Sequence, residues 1–189
     1  MIAPTVIVLA SGRGERFRAS GGTVHKLDAS LCGRSVRERT LDAVRRSGLP
    51  WHVEDAGHPA MGDSIAAAVR ATSQAAGWLI LPADLPLVLP ATLVAVAAAL
   101  ARGTWLAVQP VHTVAGEAPL RGHPVGFSAS CRDALGELAG ASGASPVLKQ
   151  LRVAGRAFDL PVDDIGIVTD VDTLGDLAAA EALWISSSR

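Results

Sequence analysis

The chain has 189 residues, 49% of them hydrophobic, and 17 Lys+Arg against 18 Asp+Glu leave a formal charge of −1. That length accommodates one ordinary domain with a full core and is short for two, so a single domain over residues 1–189 is expected. The apolar content excludes a disordered chain, and a balanced charge with no basic run longer than Arg45-Arg46 argues against nucleic-acid binding.

Strand and helix signals alternate along the whole chain. The apolar run Val6 to Ala10 lacks a basic leader and flows into a glycine loop, so it reads as a first strand rather than a signal peptide. Ser35, with Glu38 three residues on, caps a helix to about Arg46 that Gly48-Leu49-Pro50 stops, and Trp51 to Glu54 is a short second strand. Asp63 or Ser64 is placed to cap a helix through Ile65 to Val69, ended by Gly77, and Trp78 to Leu81 is the central strand. Pro90 opens a helix to Gly103, Thr104 to Val108 is a strand, and a polar loop runs from Pro110 to Gly122 before a strand at Pro124 to Phe127.

Helices near Cys131 to Leu138 and from Ser145-Pro146 follow. Phe158 to Leu160 and Ile165 to Val168 are late strands, and Thr173-Leu174-Gly175-Asp176 opens the last helix as a capping box with Asp in the usual Glu place. This order predicts an α/β three-layer sandwich on a mostly parallel sheet. The apolar segment Leu85 to Ala101 falls short of the ~20 residues that span a bilayer, so no membrane partner is expected. Two distant cysteines, Cys32 and Cys131, without metal-type spacing suit a reduced cytoplasm.

The loop Ser11-Gly12-Arg13-Gly14-Glu15-Arg16, with Lys26 beyond it, has the composition of a triphosphate cradle: glycines let main-chain N–H groups approach phosphate oxygens, and fixed cations neutralise charge. It is not a P-loop, which needs Gly, four residues, then Gly-Lys-Ser/Thr, and it lacks the third glycine of a dinucleotide fingerprint. In an open parallel sheet, polar residues just after apolar strands face one cleft. Asp84, stiffened by Pro82 and Pro86, and Asp170 with Asp172 join the glycine loop there. Mg²⁺ takes one or two carboxylates plus substrate phosphates, so Asp84 with Asp172 is a sufficient site. The structural alternatives are caps for the three aspartates and solvated surface for Arg16 and Lys26. Of the histidines, only His123, between Gly122 and Pro124, has a suggestive position, and no Ser/His/Asp elbow occurs.

Leu9 to Phe17 followed by His25-Lys26-Leu27, then Ala60 to Ile65, Ala83 to Val88, Gly122 to Val125 and Asp170 to Leu177, resembles the ordered motifs of the Rossmann-like nucleotidyltransferases, in particular the group containing molybdenum cofactor cytidylyltransferase. The resemblance spans nearly the whole chain. It implies the nucleotide-diphospho-sugar transferase type of fold and attack by a substrate phosphate on the α-phosphorus of a nucleoside triphosphate, with pyrophosphate leaving. Arg16 and Lys26 would be catalytic, and Leu9, Ala10, Ser11, Gly12, Arg13, Gly14, Lys26, Gly62 and Ser64 would bind the nucleotide, CTP being favoured. Asp84 and Asp172 would hold Mg²⁺, and His123 would lie toward a phosphorylated acceptor such as molybdopterin. Ser11 and Ala83 replace residues usual in the family. Gly140-Ala141-Ser142-Gly143-Ala144-Ser145 stands where the family has an acid and a base, which implies an altered acceptor side or a non-catalytic nucleotide-binding relative.

Overall fold

A computed structural model describes residues 3–114 and 116–187. In chain order the strands are β1 (Thr5–Leu9), β2 (Ser30–Leu31), β3 (Arg34–Ser35), β4 (Trp51–Glu54), β5 (Gly77–Pro82), β6 (Ala107–His112), β7 (Leu120–Arg121), β8 (Val125–Ser128) and β9 (Ala157–Pro161). The helices are α1 (Glu15–Ala19), α2 (Val36–Ser47), α3 (Met61–Ala71), α4 (Pro90–Ala101), α5 (Arg132–Gly136), α6 (Ser145–Val153) and α7 (Leu174–Ser187), with 3-10 turns at Lys26–Asp28, Ala129–Cys131 and Ile165–Val168. The main sheet has seven strands in the order β4-β1-β5-β8-β6-β7, with β9 also on β6. β4, β1, β5, β6 and β9 run one way, while β8 and β7 oppose them. The small β2-β3 hairpin stands apart.

Period-two alternation splits the sheet's side chains between two cores. Val6, Val8, Leu79 and Leu81 pack with Val44 of α2, Leu93 and Val96 of α4 and Ala180 of α7. Ile7, Trp78 and Ile80 pack on the other face with Ile65 and Val69 of α3, Leu135 of α5 and Val147 of α6. Helices therefore cover both faces, the three-layer arrangement expected. Each fully buried aliphatic side chain contributes roughly 1.5–3 kcal/mol by leaving water.

Ser35 caps α2 by accepting from Glu38 N while the Glu38 carboxylate accepts from Ser35 N, the predicted capping box. At the start of α7 Asp176 Oδ2 accepts from Thr173 N while Thr173 Oγ1 accepts from Asp176 N, so the Asp form of the box is present too. Four local expectations are corrected. α3 begins at Met61 with Ala60 as N-cap, and Asp63 instead accepts from Gly140 N across the cleft rim. α3 stops at Ala71 and Gly77 opens β5; Thr72, the C-cap, accepts from the indole of buried Trp78. β6 starts at Ala107 and runs through Pro110, which lies opposite the break between β8 and β7, where a missing N–H costs the ladder least. Ile165–Val168 is a 3-10 turn, because Asp164 accepts from Gly166 N and is itself fixed by Leu89 N and Thr92 Oγ1. Among the described residues, no helix is long and apolar enough to cross a membrane.

Candidate active site

The opening loop is held by side chains whose role the sequence did not reveal. His25 Nδ1 accepts from Leu27 N, which leaves Nε2 to donate to Gly12 O at 2.7 Å. Arg18 donates to Arg13 O. Gly14 has φ +64°, in the left-handed region that favours glycine, and a Cβ there would crowd the His25 ring at 3.3 Å. Ala10 N and Ser11 Oγ both donate to Glu54 O, tying the start of the loop to the end of β4.

The carboxylates are positioned by main-chain bonds around the end of β5. Ala83 N donates to Leu9 O, and Ala83 O accepts from buried Thr40 of α2 at 2.9 Å. Asp84 O accepts from Val171 N, which draws the 170–172 segment alongside. As a result Lys26 Nζ donates to Asp84 Oδ2 at 2.5 Å and to Asp172 Oδ1 at 2.7 Å, and Arg16 pairs with Asp172 Oδ2 at 2.7 Å. One ammonium thus contacts two carboxylates 88 residues apart in the chain, one after β5 and one before α7.

Burial disfavours the Lys26 charge, but Asp84 and Asp172 outweigh it and hold the pKa above 10.5. Burial likewise pushes Asp172 up, and the hydrogen bond and charge of Lys26, with Arg16, bring it below the ordinary carboxylate value. Asp170 is raised, first by burial and then by Asp84 and Asp172. Asp84 Oδ1 is buried without a hydrogen-bond partner among the described residues. A hard, unsatisfied oxygen beside a carboxylate pair that already grips a cation fits a divalent ion. Among the described residues no group of three or more His, Cys, Asp or Glu is placed to hold a metal, and the pair Asp84 and Asp172 fits the Mg²⁺ pattern, in which substrate phosphates and water complete the shell.

These groups line a cleft of about 770 Å³ beyond the C-terminal ends of β1 and β5. Leu9, Ser11, Gly12, Arg13, Gly14, Arg16, Lys26, Ser64, Asp84, Asp172 and His123 all border it, so the predicted residues converge. Ala10 and Gly62 do not. Gly62 is in the first turn of α3, where a Cβ would meet the Ala139 backbone at 2.8 Å, so its smallness serves packing. His123 Nδ1 faces Ile80 O at 3.4 Å; burial, offset in part by Ile80 and Asp84, lowers its pKa below 6.5 and keeps it neutral. Ala141, in the segment where the family resemblance places an acid, borders the cleft on its α3 side, and Arg121, not anticipated as a site residue, borders it beside His123.

Residues 41–157, more than half of the chain, match the MobA-like NTP transferase domain. The chain belongs to that family. As a MobA-like NTP transferase it is a nucleotidyltransferase, and the family match covers Asp84 and the β7–β8 wall while the opening loop precedes it. Solved structures agree in fold. Rv0371c from Mycobacterium tuberculosis H37Rv superposes with a TM-score of 0.75 at 22% identity over 96% of this chain and 98% of its own. Its complex with manganese gives 0.68 at 22% identity over 95% and 98%. Mth528, a nucleotidyl transferase from Methanothermobacter thermautotroptrophicus, gives 0.75 at 20% identity over 98% and 99%. Molybdopterin-guanine dinucleotide biosynthesis protein A from Archaeoglobus fulgidus gives 0.62 at 18% identity over 96% and 99%. No curated protein matches the sequence.

Proposed function

We propose that this MobA-like NTP transferase, acting as one domain over residues 1–189, transfers CMP from CTP to a phosphorylated acceptor, molybdopterin being the first candidate, and releases pyrophosphate. The observation that carries the reading is the Lys26 ammonium bridging Asp84 and Asp172 at the mouth of the glycine loop. A phosphate oxygen of the acceptor attacks the α-phosphorus of the nucleotide, the bond to the β-phosphate oxygen breaks, and pyrophosphate departs with that electron pair. Arg13, Arg16 and Lys26 bring fixed positive charge to the triphosphate, and the Gly12 and Gly14 backbone lets the phosphates approach. Leu9, Ser11 and Ser64 border the same space on the side assigned to the base and sugar.

Asp84 and Asp172 would hold Mg²⁺, which supplies Lewis-acid polarisation of phosphate oxygens. The manganese complex of Rv0371c supports a divalent ion in this fold. No covalent intermediate on the protein is needed: the chain aligns the two phosphates and spreads their charge. Cys32 and Cys131, both free thiols, suit a reducing cytoplasm.

Pyrophosphate release from each common nucleoside triphosphate with Mg²⁺, with and without molybdopterin, tests the reading on wild type and Asp84→Asn. The expected result is CTP turnover that requires the acceptor and falls at least ~100-fold in the variant, as loss of a transition-state charge stabiliser does. Tight nucleotide binding without turnover on any acceptor would overturn it. A second reading, the same chemistry on another phosphorylated acceptor, is favoured by Ala141, which gives the cleft wall a methyl where the resemblance led one to expect an acid. Turnover with CTP and a different phosphate monoester distinguishes it.

A further inference from the structure

The cations of the cleft are unequally distributed. Arg13, Arg16 and Lys26 all come from the opening loop and its sequel, and Arg16 and Lys26 are already engaged by Asp84 and Asp172. The wall built from the end of β7 and the segment leading into β8 contributes Arg121 and His123, and His123 is neutral. An anionic acceptor approaching from that side meets one permanent positive charge, Arg121.

Arg121 is held in a way that leaves charge to spare. Its Nε and Nη2 both donate to Asp159 Oδ2, at 2.9 and 2.7 Å, and Asp159 Oδ1 accepts from Arg152 at 2.6 Å. Two guanidiniums share one carboxylate, so the cluster carries a net +1. Arg152 also donates to Gln109 Oε1, and Gln109 Nε2 donates to Gly122 O, which closes a ring back to the residue after Arg121. The backbone there is fixed from the other side as well: His123 N donates to Ile167 O, and a Cβ on Gly122 would sit 2.2 Å from the same oxygen. The Arg121 side chain nevertheless stays 53% exposed, and the residue borders the cleft. A guanidinium oriented by a carboxylate, seated on rigid backbone, with Nη1 outside the Asp159 fork, is a preorganised receptor for a phosphate dianion.

We infer that Arg121 is the anchor for the acceptor's phosphate, holding the nucleophile on the β7–β8 wall. The inference rests on the nucleotidyl-transfer reading of the cleft and assigns the acceptor class to phosphate monoesters. The probe is inorganic phosphate, titrated calorimetrically into the full chain already saturated with Mg²⁺ and the non-hydrolysable α,β-methylene analogue of CTP, so that the triphosphate subsite is occupied. Wild type is expected to take up phosphate, and Arg121→Gln to bind it at least ~10-fold more weakly, the size expected for a charge-assisted hydrogen bond, with affinity for the analogue unchanged as the control for folding. Arg121→Lys, which keeps the charge but not the fork, should fall between them. Equal phosphate affinity in wild type and Arg121→Gln, or no phosphate uptake by the nucleotide-loaded wild type, overturns the anchor while leaving nucleotidyl transfer standing. Failure of wild type to bind the analogue overturns both.

Discussion

Lys26 has two possible anions to serve, and it serves the protein's own. With its side chain only 10% exposed and its ammonium on both Asp84 and Asp172, it occupies the position of a counter-cation between carboxylates. A divalent ion held by Asp84 and Asp172 would compete with the ammonium for that pair, leaving Lys26 free for a phosphate. Lys26→Met removes the competitor. Without nucleotide, Mn²⁺ should bind the variant roughly 10-fold more tightly than wild type, as released charge-assisted hydrogen bonds predict, and electron paramagnetic resonance of free Mn²⁺ measures this. Leaving Asp84 without its cation, and Asp172 with Arg16 alone, should also lower metal-free stability by up to roughly 3–5 kcal/mol, recoverable by adding Mn²⁺. Unchanged or weaker Mn²⁺ affinity in the variant would show that Lys26 and metal do not contend for the pair.

At the scale of elements, the site depends on close contacts between backbones as much as on side chains. The β7–β8 junction is wedged against the 3-10 turn at Ile165–Val168 through Gly122. Gly122→Ala forces a methyl onto a carbonyl oxygen that belongs to backbone, and overpacking of that kind costs about 1–3 kcal/mol. Gly136→Ala is the control, since a Cβ there meets nothing within 4 Å. Differential scanning calorimetry should show the first variant melting lower by roughly 2–4 °C per kcal/mol and the second unchanged or slightly higher. These contacts also explain what the sequence disclosed and what it withheld. Regular elements with their own local signals, such as the Ser35–Glu38 box, Pro90 at the start of α4 and the apolar run of β1, were legible because their causes lie within a few residues. The convergence of the glycine loop, Asp84 and Asp172 followed from the rule that parallel strands end at one cleft. Gly62 was assigned to the nucleotide because a glycine's reason for being small, here the Ala139 backbone, lies 77 residues away. Arg121 escaped notice for the same reason: an isolated arginine reads as surface until Asp159, Arg152 and Gln109 are seen to orient it.

For the whole molecule, charge placement sets the pH range over which the fold is most stable. Stability rises with pH wherever the unfolded chain binds more protons than the folded one. His123 is held neutral below its ordinary 6.5, so its contribution is complete above 6.5 and is lost as pH falls through its folded value. Asp172 and Asp159 are depressed below 3.8, the first by Lys26 and Arg16 against burial, the second by Arg152 and Arg121, so they stabilise above 3.8 and fail as pH falls through their folded values. Asp170 has the opposite sign: raised chiefly by burial, it favours the fold below 3.8 and loses that contribution as pH rises through its folded value. Lys26, raised above 10.5, contributes fully below 10.5 and is lost as pH rises through its folded value. Urea midpoints should therefore form a plateau between about pH 7 and 10 and decline on the acid side in two stages, the histidine first and the paired carboxylates later. His123→Gln should remove the first stage, flattening the profile just below pH 6.5 while leaving the steeper acid loss in place. A variant profile that still declines there as wild type does would assign the first stage to another group and remove His123 as its cause.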